Sequence, residues 1–337
     1  MNFLIVRLGA LGDIVHTVPA AAALRRAFPE AGIDWVVDRR HVSFAELVLP
    51  LDRVIALERP SPGAWIDLVR QLRTTQYDVA LDFQGLMKSA VIARASGARR
   101  VVGFSIWHLR EKSARPFYSD VDTPDGVTHV IRKNLSLLSS VGVSTTEIRF
   151  PLAQTRSAAM ELVNEWQHAS GHTAFALLNP GAAWPNKRWP SARFGEVAIF
   201  LRDVRGLPSI VLWGPGEAAL AQEVIDASAG AARLAPPTSK SDLLELSRHA
   251  SLMVSGDTGP LHIAAAAGAP VVAIFGPTDP ARNGPWASAD IVVSRHGACG
   301  CHYQRQCRQR AWCLQDLAVV EVTAAIQRRL NPVAPTA

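Results

Sequence analysis

Long apolar runs, aromatic residues and cysteines are all scarce in this chain of 337 residues, and each scarcity excludes something. The longest apolar stretch, Ile263 to Gly276, is broken by Gly268 and Pro270 and falls short of the ~20 residues that span a bilayer. Arg7 and Asp13 interrupt the apolar stretch after Met1, so no signal peptide is expected and the chain is taken to be cytoplasmic. Aromatics make up 7% and are not interleaved with basic residues in any stripe. A pI near 9.5 therefore does not indicate a nucleic-acid binder. There is no H-E-x-x-H and no Cys–His–Asn pattern. Neither half carries G-x-G-x-x-G after its first strand, which argues against a dinucleotide dehydrogenase.

The length exceeds the ~250–300 residues at which one hydrophobic core stops growing, so two domains are expected. Short β-branched runs (Phe3–Arg7, Ile33–Val37, Arg53–Leu57, Tyr77–Asp82, Arg100–Phe104) alternate with alanine- and leucine-rich helical segments. The pattern restarts with Thr173–Leu178, Ser209–Trp213, Leu252–Ser255 and Val271–Phe275, and ends in an amphipathic helix, Val319–Leu330. Continuously apolar strands separated by helices form a parallel sheet covered on both faces. The expectation is α/β: two Rossmann-like domains facing a cleft, residues 1–152 and 153–337.

The net charge of +6 is concentrated. Between Lys88 and Arg115 stand Lys88, Arg94, Arg99, Arg100, Arg110, Lys112 and Arg115 against one acid, Glu111. Such a segment suits an anionic ligand.

Five segments could carry chemistry. The first strand ends in Arg7-Leu-Gly-Ala-Leu-Gly-Asp13, at the sheet edge where open α/β folds bind ligands. Asp13 is either a helix N-cap or a catalytic base. Ser255-Gly-Asp-Thr-Gly-Pro-Leu-His262 joins a strand to a helix, and the N–H groups of Thr258 and Gly259 would favour a phosphate there. The other reading is an ordinary capped junction. In Asn179-Pro-Gly-Ala-Ala-Trp-Pro-Asn-Lys-Arg-Trp-Pro190, Gly181 permits close backbone approach, and Lys187 and Arg188 are placed to clamp a phosphate. Glu217, after Trp213-Gly-Pro-Gly, would accept from ribose hydroxyls or simply favour its helix's first turn. Finally Cys299, Cys301, Cys307 and Cys313 crowd together near His296 and His302. They form either a structural Zn or Fe knuckle or locally packed thiols, and C-x-C-x5-C-x5-C is not an ordinary zinc spacing.

Leu11-Gly-Asp-Ile-Val-His-Thr-Val-Pro19, Asp34-Trp-Val-Val-Asp38, Tyr77 to Ala90, Lys187-Arg-Trp-Pro190, Gly256 to His262 and Phe275-Gly-Pro-Thr-Asp-Pro280 occur in the order found in one family. Over nearly its whole length the chain resembles the ADP-heptose:lipopolysaccharide heptosyltransferases, glycosyltransferase family 9, of GT-B fold. Gln84 to Ala90 and Trp35-Val-Val are most like the heptosyltransferase I branch, which adds the first heptose to Kdo.

The resemblance implies metal-independent, inverting transfer from ADP-heptose without a cofactor. Asp13 then matches the general base, with Gly12 beside it on the acceptor side. Lys187 matches the lysine on the donor diphosphate, and Thr258, Gly259 and His262 the phosphate-binding turn. Asp257 matches the donor-sugar contact, Glu217 the nucleoside contact, and Gly181 lies in the donor loop. Lys88, Arg110, Lys112 and Arg115 are the candidates for an acceptor of Kdo-lipid A type, whose lipid would bring the enzyme to the inner face of the inner membrane. The chain departs from the branch pattern with Ala182 and Ala183, where hydroxyl residues are usual, and with its Cys-rich segment. The same chemistry on a later core sugar or a protein, or a non-catalytic nucleotide-sugar binder, are the alternatives.

Overall fold

Phe3, Leu4, Ile5 and Val6 carry no polar alternation, and all four are fully buried. A strand apolar on both faces must be covered on both, which places it inside a parallel sheet. The computed structural model describes residues 1–58, 61–124 and 126–331. Two compact units divide between Ala153 and Gln154. The last six residues of the chain lie outside the described part.

In the first unit, strands β1 (Asn2–Val6), β2 (Gly32–Asp38), β3 (Arg53–Leu57), β4 (Val79–Asp82), β5 (Arg100–Phe104) and β6 (Asp120–Asp122) are ordered β3-β2-β1-β4-β5-β6. Every pair is parallel. The second unit holds β7 (Ala176–Asn179), β8 (Ser209–Val211), β9 (Ala232–Leu234), β10 (Leu252–Gly256), β11 (Val271–Phe275) and β12 (Ile291–Ser294). Its order, β12-β11-β10-β7-β8-β9, is the same winding and again wholly parallel. Each sheet therefore reverses direction once: between β1 and β4, and between β7 and β10. Loops leaving the carboxyl ends of those two strand pairs splay apart, which makes the reversal the ordinary ligand site of this fold.

Helix limits follow local chemistry. The helix expected from Trp65 begins at Pro62, because Ser61 Oγ accepts from Ala64 N–H at 3.1 Å and proline suits the first turn. The edge strands β6 and β9 lack the apolar run that marks the others; with three residues each they are defined by the neighbour they pair with. Among the described residues no helix is long and apolar enough to cross a membrane.

Candidate functional site

At the reversal in the first sheet, Arg7 directly follows β1 and is buried, at 7% exposure. Its Nη2 lies 2.8 Å from Asp13 Oδ1, and its Nη1 donates to the Phe83 carbonyl after β4. Trp35 Nε1 donates to the Arg7 carbonyl at 3.1 Å, so a rigid indole holds the strand end. Asp13 is not the helix cap. The short helix Leu11–Val15 starts at Leu11, and Asp13 Oδ2 accepts from Ala10 N–H at 3.2 Å from within the first turn. Its side chain remains 37% exposed. The carboxylate is thus held by one guanidinium and one amide while keeping lone pairs open to solvent. Gly12 lies in the same turn.

The neighbouring turn after β4 is built on Asp82, which is fully buried. It accepts from Gln84 N–H (2.8 Å), Gly85 N–H (3.2 Å), Ser89 Oγ (2.8 Å) and Tyr118 OH (2.7 Å). Burial pushes its carboxyl above the usual range, against the pull of these four donors. Gln84 Oε1 in turn accepts from Leu8 N–H at 2.6 Å, so the Asp82 turn is joined to the loop carrying Asp13.

Lys88, in the helix Met87–Ala95, lies 5.9 Å from the Trp65 ring centre. Arg110 and Lys112 are exposed in the loop after β5, and Arg115 Nη1 donates to the Tyr118 carbonyl at 3.1 Å. The basic segment does not act as one patch. Arg99 and Arg100, at the opposite end of β5, pair with Asp78 (3.7 Å) and Asp120 (3.2 Å).

At the reversal in the second sheet the polar groups converge on Asp257, just after β10. Lys187 Nζ lies 2.5 Å from Asp257 Oδ2, Thr278 Oγ1 donates to the same oxygen at 2.6 Å, and His262 Nε2 lies 3.1 Å from Oδ1. With the carboxylate as partner, that Nε2 carries the hydrogen. Burial alone would raise the Asp257 carboxyl, but the His262 hydrogen bond and the Lys187 charge hold it far below the usual carboxylate range. Lys187 also stands 4.6 Å from the Trp184 ring centre.

Thr258 caps the helix Gly259–Ala267 without a side-chain bond to it. Its hydroxyl instead accepts from Asn179 Nδ2 (3.2 Å) and pairs with Ser255 Oγ (3.2 Å), while Asn179 Nδ2 also reaches Ser255 Oγ and the Gly181 carbonyl. Thr258 thus leaves the first-turn amides without a side-chain cap, the arrangement an anion site uses.

A Cβ at Gly181 would overlap the Glu217 carboxyl, which accepts from Gly214 N–H at 3.1 Å, so the glycine makes room for Glu217. Arg188 is turned inward, with its Nε on the Ala182 carbonyl at 2.8 Å, leaving Lys187 as the cation on the carboxylate.

Cys301 and Cys307 are in thiol contact (2.8 Å between sulfurs), and Cys299, Cys307 and Cys313 are near enough to act on one another electrostatically. Burial, and then the Cys299 contact, push the Cys313 thiol up to about 12. His296 and His302 stack on each other at 4.1 Å. Among the described residues no group of three or more His, Cys, Asp or Glu is arranged to hold a metal ion.

Four residues that shape the site drew no role from sequence: Arg7, Asp82, Gln84 and Thr278. All lie inside segments with chemistry-bearing neighbours, but only strand pairing reveals what they touch.

Two six-stranded units wound alike, one offering an open carboxylate at its reversal and the other a lysine beside a helix N-terminus, have the make-up of a GT-B glycosyltransferase. The chain belongs to glycosyltransferase family 9, the heptosyltransferases, whose family model matches residues 65–313. It is 25% identical over 317 residues to lipopolysaccharide heptosyltransferase 1 of Pseudomonas aeruginosa, covering 91% of this chain and 87% of that one. With lipopolysaccharide heptosyltransferase 1 of Escherichia coli K12 it shares 27% over 306 residues, 87% of this chain and 93% of that one. Among solved structures, E. coli heptosyltransferase WaaC with ADP superposes with a TM-score of 0.78 at 23% identity, covering 98% and 100% of the two chains. E. coli ADP-heptose LPS heptosyltransferase II gives 0.79 at 20% identity, covering 98% of each. At those identities the superpositions speak for the fold.

Proposed function

We propose that this enzyme transfers a heptose from ADP-heptose to a Kdo-containing acceptor of the lipopolysaccharide inner core, with inversion at the anomeric carbon. The observation that carries the reading is that each unit, taken by itself, offers one half of this chemistry: the open Asp13 carboxylate in the first, and the Lys187–Asp257–His262 cluster beside the helix Gly259–Ala267 in the second. Residues 1–152 serve the acceptor and 153–337 the donor. The names of the curated relatives support the sugar and the pathway.

In this mechanism Asp13 accepts the proton of the acceptor hydroxyl as that oxygen bonds to the anomeric carbon. The bond from that carbon to the diphosphate oxygen breaks in the same displacement, and ADP leaves with the electron pair. Inversion follows, and no covalent enzyme intermediate forms. Arg7 and the Ala10 N–H each hold one Asp13 oxygen, and the remaining lone pairs are those that take the proton.

Charge developing on the diphosphate is met by Lys187, by the amides of Thr258 and Gly259, and by His262, so no metal ion is required. Asp257 keeps Lys187 and His262 in place and offers the donor sugar an acceptor. Glu217, which packs over Gly181, serves the nucleoside. Lys88, Arg110, Lys112 and Arg115 attract the carboxylates and phosphates of the acceptor.

A panel of ADP- and UDP-sugars offered with Kdo2-lipid A, followed by nucleotide release and product mass, tests this. ADP-heptose alone should give acceptor-dependent ADP release with a gain of one heptose. Release only from another donor, or none that depends on the acceptor, overturns it. A protein or later-core acceptor would show as release on those substrates and not on Kdo2-lipid A.

A further inference from the structure

The loop between β5 and β6 exposes what a soluble surface ordinarily hides. Trp107 is 81% exposed and Ile106 beside it 39%, with Met87, at the start of the Met87–Ala95 helix, also 39% exposed. Around them stand Arg110 and Lys112, the latter with its ammonium 5.4 Å from the Trp107 ring centre.

The loop is not loose. Ser105 N–H donates to the Asp122 carbonyl (2.7 Å), His108 N–H to the Ser105 carbonyl (2.8 Å), and Lys133 Nζ to the His108 carbonyl (2.7 Å). At its far end Glu111 N–H donates to the Gly85 carbonyl (3.2 Å), and Met87 N–H donates to the Glu111 carboxylate (2.8 Å). The one acid of the segment is thus spent on the backbone of the next loop, and the backbone bonds aim Ile106 and Trp107 outward. The loops after β1, β4 and β5 sit side by side on one sheet edge, joined by Leu8 N–H to Gln84 and Glu111 N–H to Gly85. The exposed tip therefore shares its edge with Asp13.

We propose that Ile106 and Trp107, flanked by Arg110 and Lys112, dock this unit on the surface of an anionic lipid bilayer. Tryptophan, with an apolar body and one N–H, suits the headgroup level, and the cations suit the negative surface. A protein partner would need a shaped apolar face with balancing acids, whereas a bilayer needs only an apolar tip within a ring of positive charge. The inference rests on the proposed lipid-borne acceptor, because an enzyme whose acceptor is embedded in a membrane gains by holding Asp13's edge against it.

The test is flotation of the full chain with vesicles of phosphatidylethanolamine and phosphatidylglycerol, and separately of phosphatidylcholine alone, with no sugar donor or acceptor present. The parent should partition to the anionic vesicles well above the neutral ones. The double variant Ile106→Ser, Trp107→Ala should lose partitioning by about tenfold or more, since each buried side chain contributes on the order of a tenfold factor. Val320→Ser, at a site 70% exposed in the other unit, should change nothing. Equal binding by the double variant and the parent, or equal binding of the parent to both vesicle types, overturns the proposal. Turnover on a deacylated, water-soluble Kdo acceptor is measured in parallel and should be retained by the double variant. If the parent binds anionic vesicles through Trp107 but never releases ADP, the heptosyl reading fails and the docking surface stands.

Discussion

Arg7 decides how Asp13 can act. Its guanidinium is buried between the Asp13 carboxylate and the Phe83 carbonyl, so the carboxylate cannot swing away without leaving a buried cation unpaired. Asp13→Asn keeps the shape and the bond from Ala10 but cannot accept a proton. Its kcat should fall by about 10²–10⁴ with the KM for ADP-heptose little changed, and a kcat within a few-fold of the parent would remove Asp13 as the base. Lys187 differs in that, on the proposed mechanism, it serves both Asp257 and the diphosphate. Lys187→Ala removes the cation from the diphosphate and leaves Asp257 with His262 and Thr278 alone. A rise in donor KM together with a loss of about 10²–10³ in kcat is expected, and unchanged kinetics would take Lys187 out of the site. Both residues could be singled out from sequence because each lies in a segment that leaves a strongly apolar strand. Asp82 could not, since its partner Tyr118 is 36 positions away and becomes a neighbour only when β4 pairs with β5.

Among the elements, the loop after β7 shows how a motif can mix chemistry with packing. Trp189, two residues past Lys187, is 1% exposed, lies edge-on to Phe194 at 5.1 Å, and donates its indole N–H to the Leu317 carbonyl at 3.0 Å. It pins the loop to the core of its own unit, so Lys187 is presented from a fixed point. Trp189→Ala should cost about 3–5 kcal/mol in denaturant unfolding. Trp189→Phe keeps much of the packing and removes one of two donors on the Leu317 carbonyl, which still accepts from Arg193 Nη1 (2.6 Å), so it should cost at most about 1 kcal/mol. Equal stability of both variants with the parent would show the loop is held elsewhere. The central strands were readable because continuous apolar runs admit no other placement. β6, with Asp120-Val-Asp122, was not readable, because its backbone bonds to β5 and not its composition make it a strand. The cysteines were ambiguous for a related reason: their spacing allows a knuckle or packed thiols, and only the fold brings the Cys301 and Cys307 sulfurs together.

At the scale of the whole molecule, the excess of six positive charges is smaller at the ligand edge than the sequence count implies. Ion pairs with Asp78 and Asp120 take Arg99 and Arg100 out of play at the opposite end of β5. Lys88, Arg110, Lys112 and Arg115 remain on the segments that follow β4 and β5. Arg110 and Lys112 are exposed, so salt should weaken their attraction once charges lie beyond the Debye length of about 10 Å at 0.1 M. Lys187 is largely buried against Asp257 and should be screened far less. The KM for a deacylated Kdo acceptor should therefore rise several-fold as salt is raised from low to physiological strength, while the KM for ADP-heptose moves less. In Arg110→Ala, Lys112→Ala the acceptor KM should start high and respond weakly to salt. An acceptor KM that ignores salt, or a double variant with the parent's full salt response, would mean that the acceptor is recognised by shape and hydrogen bonding and that these cations serve the membrane alone.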